Sequence, residues 1–289
     1  MDEIQQIVKK YDAEYIENEL HSAADVSRFA SVFYADVADI YDCITRIRNP
    51  KRNPTGYNLS DAPIAGLLVK IWKLLKPLVA QYKEGNSEVV GILDRPILES
   101  AVLATFLMQS QEAVIEDYRK CAYKDRLRML RDSAAGSEFF QSKPGLRLIA
   151  SVQEKLAYES LSTADFATQK ANRWKVQGKS FFDIFKHVEH ETLYAASYGM
   201  MSESVHGSWT DSLDHNLARN TDGTFSVNPF YQPCDIRNVT PILRFTNRPY
   251  RLWLSRIDVA DERLDGLLNW VDRVNAALFW KFDALYQAE

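Results

Sequence analysis

The sequence predicts an all-α protein, a multi-helix bundle of about eight helices with one long irregular loop near 207–238. Apolar residues recur at spacings of three and four along most of the chain, which is the period of a helix with one buried face. Helix start and stop signals separate these stripes, and strand-like alternation is rare. With 46% hydrophobic and 26% charged residues in 289, the chain has enough apolar surface to form a core.

The first two long helices have clear boundaries. One begins at Ser22 and ends near Asn49-Pro50, because a proline disfavours the helical conformation of the residue before it. The next begins at Asp61, has Pro63 in its first turn, and ends at Gly85. The apolar stripes between these signals predict that both helices contribute to the core.

The middle of the chain continues with helices of similar length. A helix that begins after Asn86 contains Pro96, which is expected to kink it or to mark a restart, since proline removes one backbone hydrogen bond. Further helices are predicted over Glu112–Ser133, Pro144–Ser160 and Phe181–His206. We expect one helical domain over 1–289, with an N-terminal helical subdomain over 1–85 and a core over 86–209.

The last third of the sequence changes character twice. Glycine, asparagine, threonine, aspartate and proline are dense over 207–238, with aromatic residues between them. A structureless loop of this length is unusual in a compact domain, so the segment is either a functional lid or contains short irregular elements. One long C-terminal helix is predicted over 248–287.

Composition excludes several classes of protein. A net charge of −4 argues against a generic nucleic-acid coat. The acidic N-terminus and the absence of roughly 18 consecutive apolar residues predict a cytoplasmic protein without a membrane-spanning helix. The three separated cysteines support neither a disulfide scaffold nor a cysteine zinc site, so we expect no metal and no cofactor.

Arg95 and Glu99 form the first candidate site. They lie four residues apart at the head of an apolar helix, where an ion must be paired to be tolerated. The pair is interpreted either as an anion-binding arginine with a positioned carboxylate or as a structural ion pair that fixes the register of the helix.

Tyr198, Ser202 and His206 form the second candidate site, since a spacing of four places them on one helix face. Gly207 suits the left-handed residue that closes a helix. His206 then lies in the last turn, where the helix dipole favours a protonated imidazole. The histidine is interpreted either as a proton donor or acceptor at the edge of a pocket or as a helix cap.

Two further patterns are weaker. The run from His187 to Glu191, together with Glu203 and His206, resembles a carboxylate–histidine metal site, but only one Glu-x-x-His is present where di-iron bundles need two. A solvated charged face is the alternative interpretation. Basic and aromatic residues alternate in a way that suits single-stranded nucleic acid or, alternatively, aromatic packing. These residues are Arg244, Phe245, Arg248, Tyr250, Arg251 and Trp253.

Taken together, these motifs resemble an uncharacterised bacterial all-helical family of the 5677 type, a domain of unknown function. The resemblance covers roughly 86–209 and includes the Arg95-x-x-x-Glu99 pair, Trp174, Gly178 and the Tyr-x-x-x-Ser-x-x-x-His-Gly motif that ends at Gly207. It implies that the motif residues converge on one site, and it supplies no activity. These residues are Arg95, Glu99, Tyr198, Ser202 and His206.

Such families are compared with helical nucleases of bacterial defence, which carry an arginine shortly before a histidine. This chain has Gly199, Met200 and Met201 where that arginine would precede His206, so Arg95 would have to supply it from another helix.

The leading hypothesis is a site that binds a nucleotide or RNA in bacterial stress or phage defence, with Arg95, Glu99 and His206 as catalytic candidates. Tyr198, Ser202, Arg248 and Arg251 are the ligand-binding candidates. The alternative is a non-enzymatic helical interaction module that could form a dimer through its C-terminal helix. A metal-dependent oxidase is the third interpretation.

Overall fold

A computed structural model describes residues 10–166 and 174–287. Within them the chain forms two compact units, the first from 10–109 and 184–287 and the second from 110–166 and 174–183. Nearly all regular structure is helical, which confirms the all-α prediction, although the helices outnumber the expected eight. The single helical domain over 1–289 stays a prediction.

The helices follow one another along the chain. Their bounds are α1 Ala13–Glu19, α2 Ala23–Arg46, α3 Ala62–Lys83, α4 Ser87–Met108, α5 Glu112–Cys121, α6 Lys124–Ala134, α7 Glu138–Gln141, α8 Lys143–Tyr158, α9 Phe181–Val188, α10 Thr192–Tyr194, α11 Met200–His206, α12 Trp209–Asp211, α13 Thr240–Arg256 and α14 Glu262–Tyr286. A π-helical turn, Ala195–Gly199, joins α10 to α11 without a break. None of the described helices is long and apolar enough to cross a membrane.

The first unit is built on α2, α3, α4, α13 and α14, whose apolar faces pack together. Trp253 and Trp270 are completely buried in this core. Two buried polar groups are paired across it: the Tyr250 hydroxyl donates to the Leu68 carbonyl at 2.8 Å, and the Asn247 amide donates to the Leu268 carbonyl at 2.8 Å. These bonds remove most of the cost of burying polar groups and help to fix the register of the helices.

The second unit has its own small core. Tyr123, Val152, Leu156 and Phe166 form a buried cluster. Beside it the Tyr123 hydroxyl donates to Glu159 Oε1 at 2.6 Å. This unit is therefore held by local packing of α5, α6 and α8.

Two of the predicted helices are interrupted. The helix predicted over Glu112–Ser133 is two helices, α5 and α6, because backbone bonds of the tighter 3₁₀ type close α5 at Ala122 and place Tyr123 in the core of the second unit. The helix predicted over Phe181–His206 stops at Val188, whose carbonyl accepts a hydrogen bond from Arg248 at 3.0 Å, and resumes at Thr192.

The C-terminal helix predicted over 248–287 is also two helices, α13 and α14. Asp258 adopts a left-handed conformation with φ of 54° just after α13. The Asp258 and Val259 amides return to the carbonyls of Ser255 and Leu254, the pattern that terminates a helix. Asp261 then caps the start of α14 by accepting from the Arg263 amide. Pro96, in contrast, does not end α4, which continues through it.

The segment 207–238 contains short irregular elements, as one of the two interpretations predicted. After α12 and a π-helical turn, Ser212–Asn216, the strands β1 Leu217–Arg219 and β2 Phe225–Val227 form an antiparallel hairpin. A 3₁₀ turn, Ile236–Asn238, follows and leads into α13. The long stretch is thus divided into short pieces, of which α12 contacts α11 and the 3₁₀ turn contacts α4.

Candidate functional site

The first candidate site depends on a close approach between α4 and α11. Gly91 lies at the contact, where an added Cβ would be 2.9 Å from the Ser204 hydroxyl oxygen. Gly91, Arg95 and Glu99 follow one another at intervals of four, so the glycine and the motif residues share one face of α4. The absence of a side chain at Gly91 lets α11 come near enough to meet Arg95.

Arg95 lies at the centre of a four-residue cluster, which we call the Arg95 cluster: Arg95, Glu99, Tyr198 and His206. Its Nε donates to Glu99 Oε1 at 3.2 Å, and its NH2 donates to the Tyr198 hydroxyl at 2.7 Å. The Tyr198 hydroxyl in turn donates to Glu99 Oε1 at 2.9 Å. The guanidinium carbon also lies 4.7 Å from the centre of the Tyr198 ring, a cation–π distance.

His206 completes the cluster from the end of α11. Its Nε2 lies 2.7 Å from Arg95 NH1. Because a guanidinium only donates, Nε2 must accept this hydrogen bond, which requires a neutral imidazole with its proton on Nδ1. The protonated histidine expected from the helix dipole is therefore incompatible with this contact. Gly207 adopts the predicted left-handed conformation, with φ of 58°.

The groups of the cluster shift the pKa values of Arg95 and Tyr198. Burial opposes the charged form of Arg95, but Tyr198 and Glu99 outweigh it and raise the pKa of Arg95. Burial, together with the charge and hydrogen bond of Glu99, raises the pKa of Tyr198 to about 12. The Arg95 side chain is 17% exposed and that of Glu99 32%, so the cluster is open to solvent on one side.

Ser202 is oriented differently from its neighbours on the face. Its hydroxyl donates to the Tyr198 carbonyl one turn earlier, at 2.6 Å. This bond uses the only proton of the hydroxyl within the helix. The proposed role of Ser202 in ligand binding would have to use the oxygen lone pairs, and it stays a prediction.

Arg248 and Arg251 make contacts of their own on α13. Arg248 donates to the Val188 carbonyl and lies 3.4 Å from Glu189, while Arg251 pairs with Asp272 at 3.2 Å. Neither forms a described hydrogen bond with the Arg95 cluster. Their assignment as ligand-binding residues stays a prediction.

The histidines proposed for a metal site contact other side chains. The His187 ring packs edge-on against Phe106 at 5.6 Å, and His190 Nδ1 bonds to the Thr192 hydroxyl at 2.8 Å. Within 10–166 and 174–287, no group of three or more histidine, cysteine, aspartate or glutamate side chains is placed to hold a metal ion. The arrangement there does not build the metal site that the residue types suggested.

Two residues of this region were not recognised from the sequence. Gly91 sets the helix contact described above, and Asp94 is a buried carboxyl directly before Arg95. The only sequence signal for Asp94 is a single acid between apolar neighbours, Leu93 and, beyond Arg95, Pro96 and Ile97. That pattern also occurs on ordinary helix surfaces.

The similarity of this chain to known proteins lies in a family model. No curated protein and no solved structure matches the chain. The model of a family of unknown function, DUF5677, matches residues 61–224. This match extends the resemblance over 86–209 in both directions and spans α3 to β1, including the whole Arg95 cluster. Because the matched segment is more than half of the chain, the protein belongs to the DUF5677 family of unknown function.

Proposed function

We propose that the Arg95 cluster binds a phosphate group of a nucleotide or RNA and that, with RNA, it cleaves a phosphodiester bond. The observation that carries this proposal is the 2.7 Å contact between Arg95 NH1 and His206 Nε2. The guanidinium and the imidazole belong to residues that are 111 positions apart in the sequence, and they meet at a position open to solvent. Stress or phage defence in bacteria is the setting in which such an activity would be useful.

The donors of Arg95 support phosphate binding. A guanidinium has five N–H groups, and the contacts with Glu99, Tyr198 and His206 use one on each nitrogen. One N–H therefore remains on NH1 and one on NH2, the pair that can hold two phosphate oxygens. Glu99 and Tyr198 orient the guanidinium, so little side-chain freedom is lost when a phosphate binds.

His206 supplies the proton chemistry in this proposal. Its neutral Nε2 carries a lone pair, which becomes available when the imidazole turns away from Arg95 NH1. Nε2 then removes the proton of the ribose 2′-hydroxyl as its oxygen attacks phosphorus. The bond from phosphorus to the 5′-oxygen breaks, and Arg95 stabilises the additional negative charge. The 5′-oxygen takes a proton from water, and the hydroxide so formed takes back the proton that His206 had removed.

Exposed aromatic side chains support a nucleic-acid ligand. Trp209, Phe230 and Tyr231 are exposed in the segment that follows His206. Nucleic-acid bases stack on such rings regardless of sequence, at about 1–3 kcal/mol per base. A single-stranded RNA whose phosphate lies at Arg95 could place its bases on this segment.

The experiment compares purified wild type with Arg95→Ala and His206→Ala. Binding of a fluorescent single-stranded RNA is measured by anisotropy, and cleavage is measured on gels. The expected result is a large loss of cleavage in both variants and weaker binding in Arg95→Ala, with circular dichroism unchanged. Arg28→Ala is the matched control, because Arg28 is exposed and its described ion pair is with Asp25 alone. Full activity in either site variant would remove that residue from the mechanism.

A non-enzymatic interaction module is the second candidate function. It is favoured by the exposed aromatic residues near the end of α14, where Trp280 is 65% exposed and Phe279 and Tyr286 are also exposed. A homodimer through this helix would cover them. Light scattering coupled to size-exclusion chromatography would then give a dimer for wild type and a monomer for Trp280→Ser, and the Arg95 cluster variants would change stability alone.

A further inference from the structure

A pocket lies beside α4 and α11 in the first unit, with a volume of about 240 Å³, and none of the Arg95 cluster residues lines it. Its lining includes four carboxylate side chains and one guanidinium. These are Asp94, Glu203, Asp211, Asp214 and Arg237. The guanidinium is already paired, because Arg237 Nε donates to Asp235 at 3.0 Å. The pocket therefore has an acidic lining with no free positive charge among its described residues.

Asp94 is the residue that indicates a ligand. It is only 5% exposed, and its Oδ1 accepts no hydrogen bond from any residue within 10–166 and 174–287. A buried polar atom without a partner costs free energy, and native proteins satisfy nearly all such atoms. Burial raises the pKa of Asp94 well above its usual range, as expected for a carboxyl that no cation reaches.

His215, which lines the same pocket, provides a similar observation. His215 Nδ1 is also buried and has no hydrogen-bond partner among the described residues. Glu203 and Asp214, in contrast, are exposed at the mouth. The pocket thus combines unsatisfied polar atoms inside with negative charge at its entrance.

We propose that this pocket binds a small organic cation, an alkylammonium or guanidinium group. Its N–H groups donate to the carboxylate of Asp94 inside the pocket and to those of Glu203 and Asp214 at the mouth. The inference does not rest on the proposed phosphate site, since it uses other side chains and the opposite charge.

Charge, geometry and size together select this ligand class. The carboxylates exclude an anion, and no three metal-binding side chains of the described residues are placed around one ion. The volume is below the roughly 300–1,000 Å³ of pockets for drug-sized ligands, so it suits one head group. Such a group comes either from a free polyamine or from an arginine or lysine side chain of another protein.

Isothermal titration calorimetry of the full chain tests the proposal with two probes, spermidine and N-acetyl-arginine amide. Measurements at about 0.15 M salt suppress non-specific attraction to an acidic surface. At least one probe is expected to bind with 1:1 stoichiometry. Tighter binding of spermidine would identify a free polyamine as the ligand, and tighter binding of the arginine derivative would identify a side chain.

Variants locate the binding. Asp94→Asn keeps the shape of the side chain and should weaken affinity by about tenfold or more, because a charge-assisted hydrogen bond is lost. Glu203→Gln, at the exposed mouth, should weaken it less and gives a second variant with no effect on the core. Asp39→Asn is the control, since Asp39 is exposed and outside the pocket. The proposal is overturned if neither probe binds, in which case the pocket holds water only, or if Asp94→Asn binds as wild type does.

Discussion

Asp61 and Asp94 are both buried aspartates at a contact between helices, yet their surroundings are opposite. Asp61 is completely buried at the start of α3, with Arg256 Nε at 2.8 Å and Arg52 NH2 at 3.2 Å. Asp94 is almost as buried on α4, but no described cation or donor contacts its Oδ1. The same side chain is thus fully compensated in one place and uncompensated in the other.

This difference separates structure from function within one core. A buried carboxylate with two arginines is a complete interaction that fixes the start of α3 against the end of α13. A buried carboxyl oxygen without a described partner costs free energy instead, and a ligand in the adjoining pocket would offset that cost. The Arg95 cluster lies between these cases, because its arginine is paired but keeps two unused donors.

The largest expected effect is the loss of Asp61. We expect Asp61→Asn to lower the free energy of unfolding by about 3–5 kcal/mol, because it removes the charge that compensates two partly buried guanidiniums. Urea denaturation followed by circular dichroism measures it.

Asp258→Asn is the matched control for this prediction. Asp258 lies 3.8 Å from Arg52, but its side chain is 75% exposed, and asparagine also tolerates its left-handed backbone. This control should change stability by about 0.5 kcal/mol or less. If the two variants lose the same free energy, the buried ion pairs of Asp61 are not what holds the helices together.

Features that depend on nearby residues could be predicted from the sequence. The starts of α2 and α4 follow from the caps Ser22 and Asn86, and the start of α3 follows from Pro63, because caps and prolines act within a single turn. The interruptions at Val188 and Asp258 could not be predicted in this way. One depends on Arg248, about 60 residues away, and the other on an aspartate in a conformation that usually selects glycine.

In the candidate site, too, some features follow from local sequence spacing and others depend on a contact between distant segments. The face shared by Tyr198, Ser202 and His206 follows from helical spacing, and the Arg95–Glu99 pair from its spacing of four. The roles of Gly91 and Asp94 arise only when α11 packs on α4, a contact between segments about 110 residues apart. No local pattern encodes that contact.

The second prediction concerns the pH dependence that Asp94 should cause. Burial raises its pKa in the folded protein, so its contribution is fully present below the unfolded pKa near 4 and is lost as the pH rises toward the folded pKa. In this range the free energy of unfolding of wild type should fall by up to about 1.4 kcal/mol per pH unit relative to that of Asp94→Asn, whose side chain cannot ionise. Urea denaturation of both proteins from pH 4 to pH 7 gives the difference. A difference independent of pH would show that the Asp94 carboxyl has a partner in solution.

The third prediction compares two helical glycines. Gly66 on α3 is exposed with open space around it, so Gly66→Ala should stabilise the protein by about 0.5–1 kcal/mol through its better helix propensity. Gly91→Ala should not show this gain, because its Cβ would meet the Ser204 hydroxyl at 2.9 Å. Adding Ser204→Ala to Gly91→Ala removes the closest contact, so the double variant should recover part of the gain in stability. Equal stabilisation by both single substitutions would mean that α4 and α11 are less closely packed than described.

The smallest expected change in stability, from His206→Ala, is the most informative about function. The imidazole is exposed at the end of α11 and makes one hydrogen bond, so its loss should alter the free energy of unfolding by about 0.5 kcal/mol or less. The proposed mechanism nevertheless needs this group for proton transfer. Urea denaturation and RNA cleavage measured on the same preparation should therefore disagree, with stability kept and cleavage lost. A loss of stability above about 1.5 kcal/mol would instead place His206 with Asp61 among the structural groups. The interaction module would then be the better account of the cluster.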